Sequence, residues 1–260
     1  MILLKDINKD LKSKLAILLK NSPKCDITIE TLLDNKTSTY NIKVLVDNIT
    51  SPTIVQIIQG TFIILAGDTH NEDAKKLIKE IPSRYGIQPT SKEWIDLAKE
   101  IHKENLKSNT RFRLSSSKLD KDYLKEIIHN HQYKQYLKEI DMNDIDKMFN
   151  DELQKYHFFN YNSGEDFLNN SFGFCINKDN EVLSACTACL LSKKSAEISI
   201  ITSPNFRKKG LATLVAAKFI LYCLENNLIP HWDAANLFSR LLAEKLGYEF
   251  IDEYKIYYLK

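Results

Sequence analysis

Apolar and polar positions along these 260 residues recur with two periods, and the changes of period mark the elements. Residues 1–20, MILLKDINKDLKSKLAILLK, repeat leucine and isoleucine at helical spacing and predict an amphipathic helix over Met1–Lys20. β-Branched runs at Tyr40–Asp47 and Thr53–Gly67, the second broken near Gln59-Gly60, predict paired strands. Helical spacing returns at Asn71–Lys79 and at Lys92–Leu106, where Trp94, Ile95, Leu97, Ala98 and Ile101 follow a Thr-Ser start. A short alternating strand at Thr110–Ser115 and a polar helix at Asp120–His131 come next, and Ile128–Tyr133 reads as a linker. The expected division is therefore an N-terminal α/β domain, residues 1–131, and a C-terminal domain, residues 132–260.

The pattern then restarts. A strand at Tyr136–Ile140 leads to the helix-start cluster Asp141-Met-Asn-Asp144 and a helix to about Leu153. Phe172–Asn177, Val182–Leu191 and Ala196–Thr202 read as three antiparallel strands, separated by Lys-Asp-Asn and Ser-Lys-Lys-Ser turns that suit hairpins. Helices at Leu211–Asn226 and Asn236–Leu246 follow, the second ending at Gly247, where a left-handed C-cap is expected. Strand Tyr248–Leu259 ends the order, which is that of a mixed α/β (α+β) fold. The one hint of a repeat is that both halves mix hairpin strands with helices in similar order.

Composition narrows the function. With 43% hydrophobic and 27% charged residues the chain is ordinarily globular, and wholesale disorder is excluded. Thirty-six Lys and Arg against 34 Asp and Glu leave +2, too near balance for a protein held by a run of phosphates, so no nucleic-acid partner is expected. No apolar run approaches the roughly 18 residues of a membrane span. Five scattered cysteines, an odd number, and a charged first segment unlike a signal peptide read as reduced thiols in a cytoplasmic protein. No metal is expected either. Cys186-Thr-Ala-Cys189 has zinc-knuckle spacing, but within a strand residues i and i+3 face opposite sides, and His129 and His131 read as solvated. The chain has no P-loop, H-E-x-x-H, nucleophile elbow or G-x-G-x-x-G, which sets those enzyme classes aside.

The most informative stretch is Ala196–Thr213, AEISIITSPNFRKKGLAT, a strand entering a tight loop that opens a long helix. Helix N-termini leave backbone N–H groups unpaired beside a partial positive charge, so such a loop cradles an anion. Gly210, one of only seven glycines, permits close backbone approach, and Arg207, Lys208 and Lys209 add three cations. Pro204–Ala212 resembles the acetyl-CoA signature of the GNAT superfamily of N-acetyltransferases, (Q/R)-x-x-G-x-(G/A). Asn236–Tyr248, NLFSRLLAEKLGY, resembles that superfamily's later helix, N-x-x-(A/S)-x-x-L-Y-E-K-L-G-F, in the right order and spacing. The link Tyr222–Asn236 is similar to that of a bacterial subgroup with a divergent N-terminal half. The resemblance covers about residues 132–260 and implies a GNAT acyl-CoA N-acyltransferase fold there, preceded by a divergent α/β domain that recognises substrate or is itself GNAT-like.

The resemblance also implies roles. The amides of Arg207, Lys208, Lys209, Gly210, Leu211, Ala212 and Thr213 would hold the CoA pyrophosphate, and strand Ile198–Thr202, with Ile200, Ile201 and Thr202, would splay from its neighbour and pair with the pantetheine arm. Asn236, with Ser239 one turn on, would contact that arm from the later helix. Glu197 reads equally as a general base and as a solvated strand carboxylate. The superfamily's usual acid, a tyrosine, is replaced by Ala243, which leaves thiolate protonation to water, Tyr248 or Tyr222. His157, Phe158, Phe159 and Tyr161 read equally as an acceptor pocket and as a hydrophobic inter-domain seam. The expected activity is acetyl-CoA-dependent N-acetylation of an unidentified primary amine, by direct attack in a ternary complex. The alternatives are a non-catalytic acyl-CoA-binding module and a tandem-GNAT aminoacyl or thiol-conjugate transferase.

Overall fold

Elements form where the apolar periodicity places them. In a computed structural model, which describes residues 1–4, 7–20, 25–34 and 40–260, β1 (Ile2–Leu3) precedes α1 (Lys9–Leu19) and α2 (Cys25–Leu33). Then come β2 (Lys43–Val46), β3 (Ile54–Gln59), β4 (Phe62–Gly67), α3 (Glu72–Lys79), β5 (Gly86–Pro89), α4 (Lys92–His102) and β6 (Leu106–Ser115). The helix expected over Met1–Lys20 is shorter: the Asn8 side chain caps it by accepting from the Leu11 N–H at 2.9 Å, and Ile2–Leu3 pair with β2. Residues 5 and 6 of that span lie outside the described residues, as does the side chain of Cys25. Helix α2 and strand β5 are not foreseen by the pattern.

The chain continues with α5 (Lys121–Asn130), β7 (Leu137–Glu139), α6 (Met142–Asn150), α7 (Gly164–Asn170), β8 (Gly173–Lys178), β9 (Glu181–Leu191) and β10 (Ser195–Thr202). It ends with α8 (Leu211–Glu225), β11 (Ile229–His231), β12 (Asp233–Ala234), α9 (Leu237–Lys245) and β13 (Glu249–Leu259). Asp141 and Asp144 close a reciprocal capping box at the start of α6. Asp179 and Asn180 both take positive φ, which is what a two-residue hairpin between β8 and β9 requires. Helix α6 ends at Asn150, and a 3₁₀ turn at Gln154–Phe158 replaces its expected continuation.

Backbone contacts divide the chain into unit 1, residues 1–111 with 253–260, and unit 2, residues 112–252. The division falls twenty residues before the one read from the sequence. The reason is α5, whose Leu124 is fully buried with Ala216, Ala217 and Ile220 of α8, so this helix is core of unit 2 and not a linker.

Each unit carries the same topology. In unit 1, β1 to β4 are antiparallel neighbours in chain order with α1 and α2 between β1 and β2, α3 follows β4, and β5 returns parallel to β4. In unit 2, β7 to β10 are antiparallel neighbours with α6 and α7 between β7 and β8, α8 follows β10, and β11 returns parallel to β10. A further helix comes after the parallel strand in both, α4 and α9. The closing strands are exchanged along the chain: Phe112 and Arg113 of β6 pair with β12 in unit 2, and Tyr257 and Tyr258 of β13 pair with β5 in unit 1. Unit 1 packs Trp94, Leu97 and Ala98 against Ile63, Leu65 and Ile87, while unit 2 wraps its sheet around the nearly all-apolar α8.

Candidate functional site

Strand β10 owes its two faces to simple alternation. Ala196, Ile198 and Ile200 pack into the cores around α8, which turns Glu197, Ser199 and Ile201 to the opposite face. A bulge at Cys189 of β9 interrupts the register between Glu197 and Ile198. On its other edge β10 pairs with β11 only over Ser195, Ala196 and Glu197, although its pairing with β9 runs on to Thr202. From Ile198 onward, therefore, β10 has no paired strand on this edge among the described residues. This is the splay expected of Ile198–Thr202.

The strand then turns into α8. Gly210 stands at the N-cap with φ +79°, a left-handed conformation that glycine adopts without strain, and Lys208 is also left-handed at φ +62°. No side chain caps this helix, and its first internal bond runs from the Leu214 N–H to the Gly210 carbonyl at 3.1 Å. The amides of Leu211, Ala212 and Thr213 are thus the bare N-terminal donors, while the Leu211 and Thr213 side chains are buried. A Cβ on Gly210 would lie 2.9 Å from Nε2 of His131. That imidazole accepts the Tyr133 N–H at Nδ1, 3.2 Å, and bonds the Gly210 backbone; burial first, then Lys245, lower its pKa against the raising effect of that bond. His131, expected to be a solvated linker residue, instead braces the loop.

Around the loop, Arg207 donates from Nε to the Thr202 carbonyl at 3.2 Å, and the Lys209 ammonium sits 4.9 Å from the Phe206 ring centroid. A cavity of about 420 Å³ opens along the free part of β10, lined by Ile200, Ile201, Thr202, Arg207 and Ala212 on one side and by Phe238, Ser239 and Leu242 of α9 on another. Leu153, Tyr156 and Trp232 complete it. The Trp232 Nε1–H donates to Ser239 Oγ at 3.0 Å, and Asn236 spends its side-chain oxygen capping α9 through the Ser239 N–H, also 3.0 Å. Ser239 is on the cavity wall; Asn236 and Glu197 are not among its lining residues.

Two expectations need correction. Tyr248, a candidate acid, is fully buried beside Trp232 and donates its phenol proton to the Pro230 carbonyl at 2.9 Å; burial pushes its pKa well above 10, and it does not line the cavity. Tyr222 packs against Phe172 and Phe174, also away from the cavity. Nor do His157, Phe158 and Tyr161 form an acceptor pocket. They are core: Phe158 and Tyr161 pack edge-on against Phe167, and burial pushes His157 down to about 3, so it stays neutral, bonded to Thr187 Oγ1 at 2.8 Å. Phe159 is exposed. Cys186 faces the core around α8, and among the described residues no group of three or more His, Cys, Asp or Glu could hold a metal ion. No helix of the described residues is long and apolar enough to cross a membrane.

Sequence reading missed Leu153, Tyr156, Phe238 and Leu242. Phe238 and Leu242 lie within the later-helix motif and were legible as neighbours of Ser239; Leu153 and Tyr156 come from a turn with no motif to mark it.

Known proteins resemble the chain along nearly its whole length. The family model for GNAT acetyltransferases matches residues 4–257. The uncharacterized N-acetyltransferase YdfB of Bacillus subtilis is 34% identical over 207 residues, 75% of this chain and 76% of that protein. A GCN5-related N-acetyltransferase-like protein from Streptococcus suis superposes with a TM-score of 0.83 at 27% identity, covering 98% of this chain and 100% of that one. A GCN5-related N-acetyltransferase from Sphaerobacter thermophilus shares the fold alone, with a TM-score of 0.56 at 9% identity over 98% of this chain and 94% of that one. With a bulged, splayed strand feeding an uncapped helix, and with these relatives, the chain belongs to the GNAT acetyltransferase family.

Proposed function

We propose that this acyltransferase uses acetyl-CoA and acetylates a primary amine by direct attack within a ternary complex. The observation that carries the reading is the free edge of β10, which starts where β11 stops pairing and leads straight to the bare amides of Leu211, Ala212 and Thr213. An extended, amide-bearing arm matches the first, and a pyrophosphate matches the second. Arg207, Lys208 and Lys209 supply positive charge beside the phosphates. β10 amides past the bulge polarise the thioester carbonyl, so positioning and oxyanion stabilisation supply most of the rate. Glu197, the last residue before the strands part, takes the amine proton through a water. The free thiols Cys175, Cys186, Cys189 and Cys223 fit a reducing compartment such as the cytoplasm.

Calorimetric titration of acetyl-CoA tests this, with Gly210→Glu and Gly210→Ala as controls. The wild type is expected to bind, the glutamate to abolish binding, and the alanine to separate the strain of a Cβ from the repulsion of a carboxylate. A wild type that ignores acetyl-CoA overturns the reading. A second reading, acyl-CoA binding without turnover, is favoured by one observation: Ala243 is fully buried and Tyr248 is engaged, so neither the family's acid position nor its nearby substitute presents an acid. Binding without release of CoA thiol across an amine panel would select it.

A further inference from the structure

The acyl transfer proposed above leaves a thiolate that needs a proton, and Ala243 and Tyr248 cannot give one. We propose that Tyr156 is the catalytic acid, reaching the CoA sulfur from the cavity wall. The inference rests on acetyl-CoA lying along β10.

The cavity lining offers one neutral donor acidic enough to serve a thiolate. Arg207 holds its proton permanently, and the hydroxyls of Thr202 and Ser239 and the Trp232 indole, which donates to Ser239 Oγ, are far weaker acids than a phenol. Tyr156 is the phenol in the lining, and it is about half exposed, so its proton can be replaced from solvent.

What aims Tyr156 is the turn that carries it. In a 3₁₀ turn residues three apart share a face. Leu153 and Tyr156 share the one that lines the cavity, joined by the Tyr156 N–H to Leu153 carbonyl bond of 3.1 Å. Gln154 and His157, continued by Asn160, form another face, buried to within 2% and pinned at successive points of the sheet. Gln154 Nε2 donates to Ser203 Oγ at 3.3 Å, His157 Nδ1 lies 2.8 Å from Thr187 Oγ1, and Asn160 Nδ2 donates to the Cys189 carbonyl at 2.8 Å. Three anchors on one face fix the direction of the other.

In the step, the amine nitrogen forms a bond to the acetyl carbon and the C–S bond breaks with its electron pair moving to sulfur. The Tyr156 phenol gives its proton to that sulfur, the phenolate is reprotonated from water, and the amine's surplus proton leaves toward Glu197.

The test uses Tyr156→Phe with CoA itself as probe. Calorimetry is expected to give the variant wild-type affinity for CoA and acetyl-CoA. Ionisation of the bound thiol, followed by thiolate absorbance against the desulfo-CoA complex, should move upward by about one pH unit, because a hydrogen bond to the thiolate has been lost. For any amine the wild type acetylates, kcat should fall about a hundredfold with KM for acetyl-CoA unchanged. Bound thiols that ionise at the same pH in both proteins overturn the proposal. Absence of CoA binding by the wild type overturns the function beneath it, and the first titration distinguishes the two failures.

Discussion

In unit 1, strand β4 keeps its parallel neighbour for most of its length: Phe62, Ile63, Ile64 and Leu65 stand opposite Gly86, Ile87, Gln88 and Pro89, and the Thr90 N–H reaches the Leu65 carbonyl. In unit 2, β10 at the same place in the same topology keeps its neighbour for only Ser195, Ala196 and Glu197. The helices that follow differ in the same sense. Helix α3 begins under Asn71, whose side chain accepts from the Asp73 N–H, and carries Glu72 and Asp73 in its first turn. Helix α8 begins at Gly210 with neither cap nor acid. A capped, acidic first turn already satisfies the dipole for which a phosphate would compete. On the proposed reading the topology permits an acyl-CoA site without specifying one, and a few residues at one strand edge and one helix start would separate the two outcomes.

Two left-handed glycines, Gly67 at the end of β4 and Gly210 at the start of α8, offer the strongest way to break this comparison. Gly67, at φ +101°, would bring a Cβ within 1.9 Å of the Thr53 carbonyl oxygen, which already accepts the Asp68 N–H at 2.9 Å. At Gly210 the obstacle is the tip of the His131 side chain, which can swing away. Gly67→Ala is expected to destabilise the protein by about 3–5 kcal/mol, and Gly210→Ala by about 1–2 kcal/mol, from positive φ alone. Scanning calorimetry of both variants checks this, and equal losses would remove the contrast.

Acid sharpens the difference. The buried polar contact that holds α2 in unit 1, Thr28 Oγ1 to Gln59 Oε1 at 2.8 Å, does not titrate, whereas that of the turn before α7 includes His157, pushed down to about 3 by burial. Above pH 6.5 neither folded nor unfolded chain carries this proton, and stability is complete. As the pH falls below 6.5 the unfolded chain binds a proton that the folded chain refuses. The loss reaches about 2 kcal/mol by pH 5 and stops growing near pH 3. His157→Gln should therefore lose less melting temperature than the wild type between pH 7 and pH 5. Parallel declines would show that another group controls the acid limb.

How much of this was legible follows from range. The three central strands, the left-handed glycine Gly247 after the later helix and the cationic loop were readable because alternation, a glycine at a helix end, and a helix start are local signals. The domain boundary was not, because α5 reads as a polar helix by sequence and only the burial of Leu124 against α8 reveals which unit owns it. Nor was Tyr156, since a one-turn 3₁₀ segment has too few residues to show a period and its direction is fixed by Ser203, Thr187 and Cys189, distant in sequence. Tyr248 misled for the same reason: its phenol is committed to the carbonyl of Pro230, eighteen residues earlier.

Ala243→Tyr asks whether the family's acid position can be restored in unit 2. Ala243 is fully buried among Trp232, Leu246 and Tyr248, so the larger side chain overpacks that core. The expectation is a loss of about 1–3 kcal/mol and no gain in CoA release. A faster, equally stable variant would show that the position can still serve.

The smallest effect separates the two helix starts by charge. Lys208 and Lys209 are exposed, with no acid in the first turn of α8 to answer them, whereas Lys75 and Lys76 on α3 follow Glu72 and Asp73. Replacing Lys208 and Lys209 together by glutamate should raise the acetyl-CoA Kd about tenfold at low salt and less at high salt, because exposed charges are screened. The same exchange at Lys75 and Lys76 should leave Kd unchanged. If both pairs weaken binding alike, the attraction comes from net charge, and the bare start of α8 is not what distinguishes the units. If neither does, the backbone amides of Leu211, Ala212 and Thr213 hold the anion without help from the lysines, and the contrast rests on the cap and the open strand edge alone.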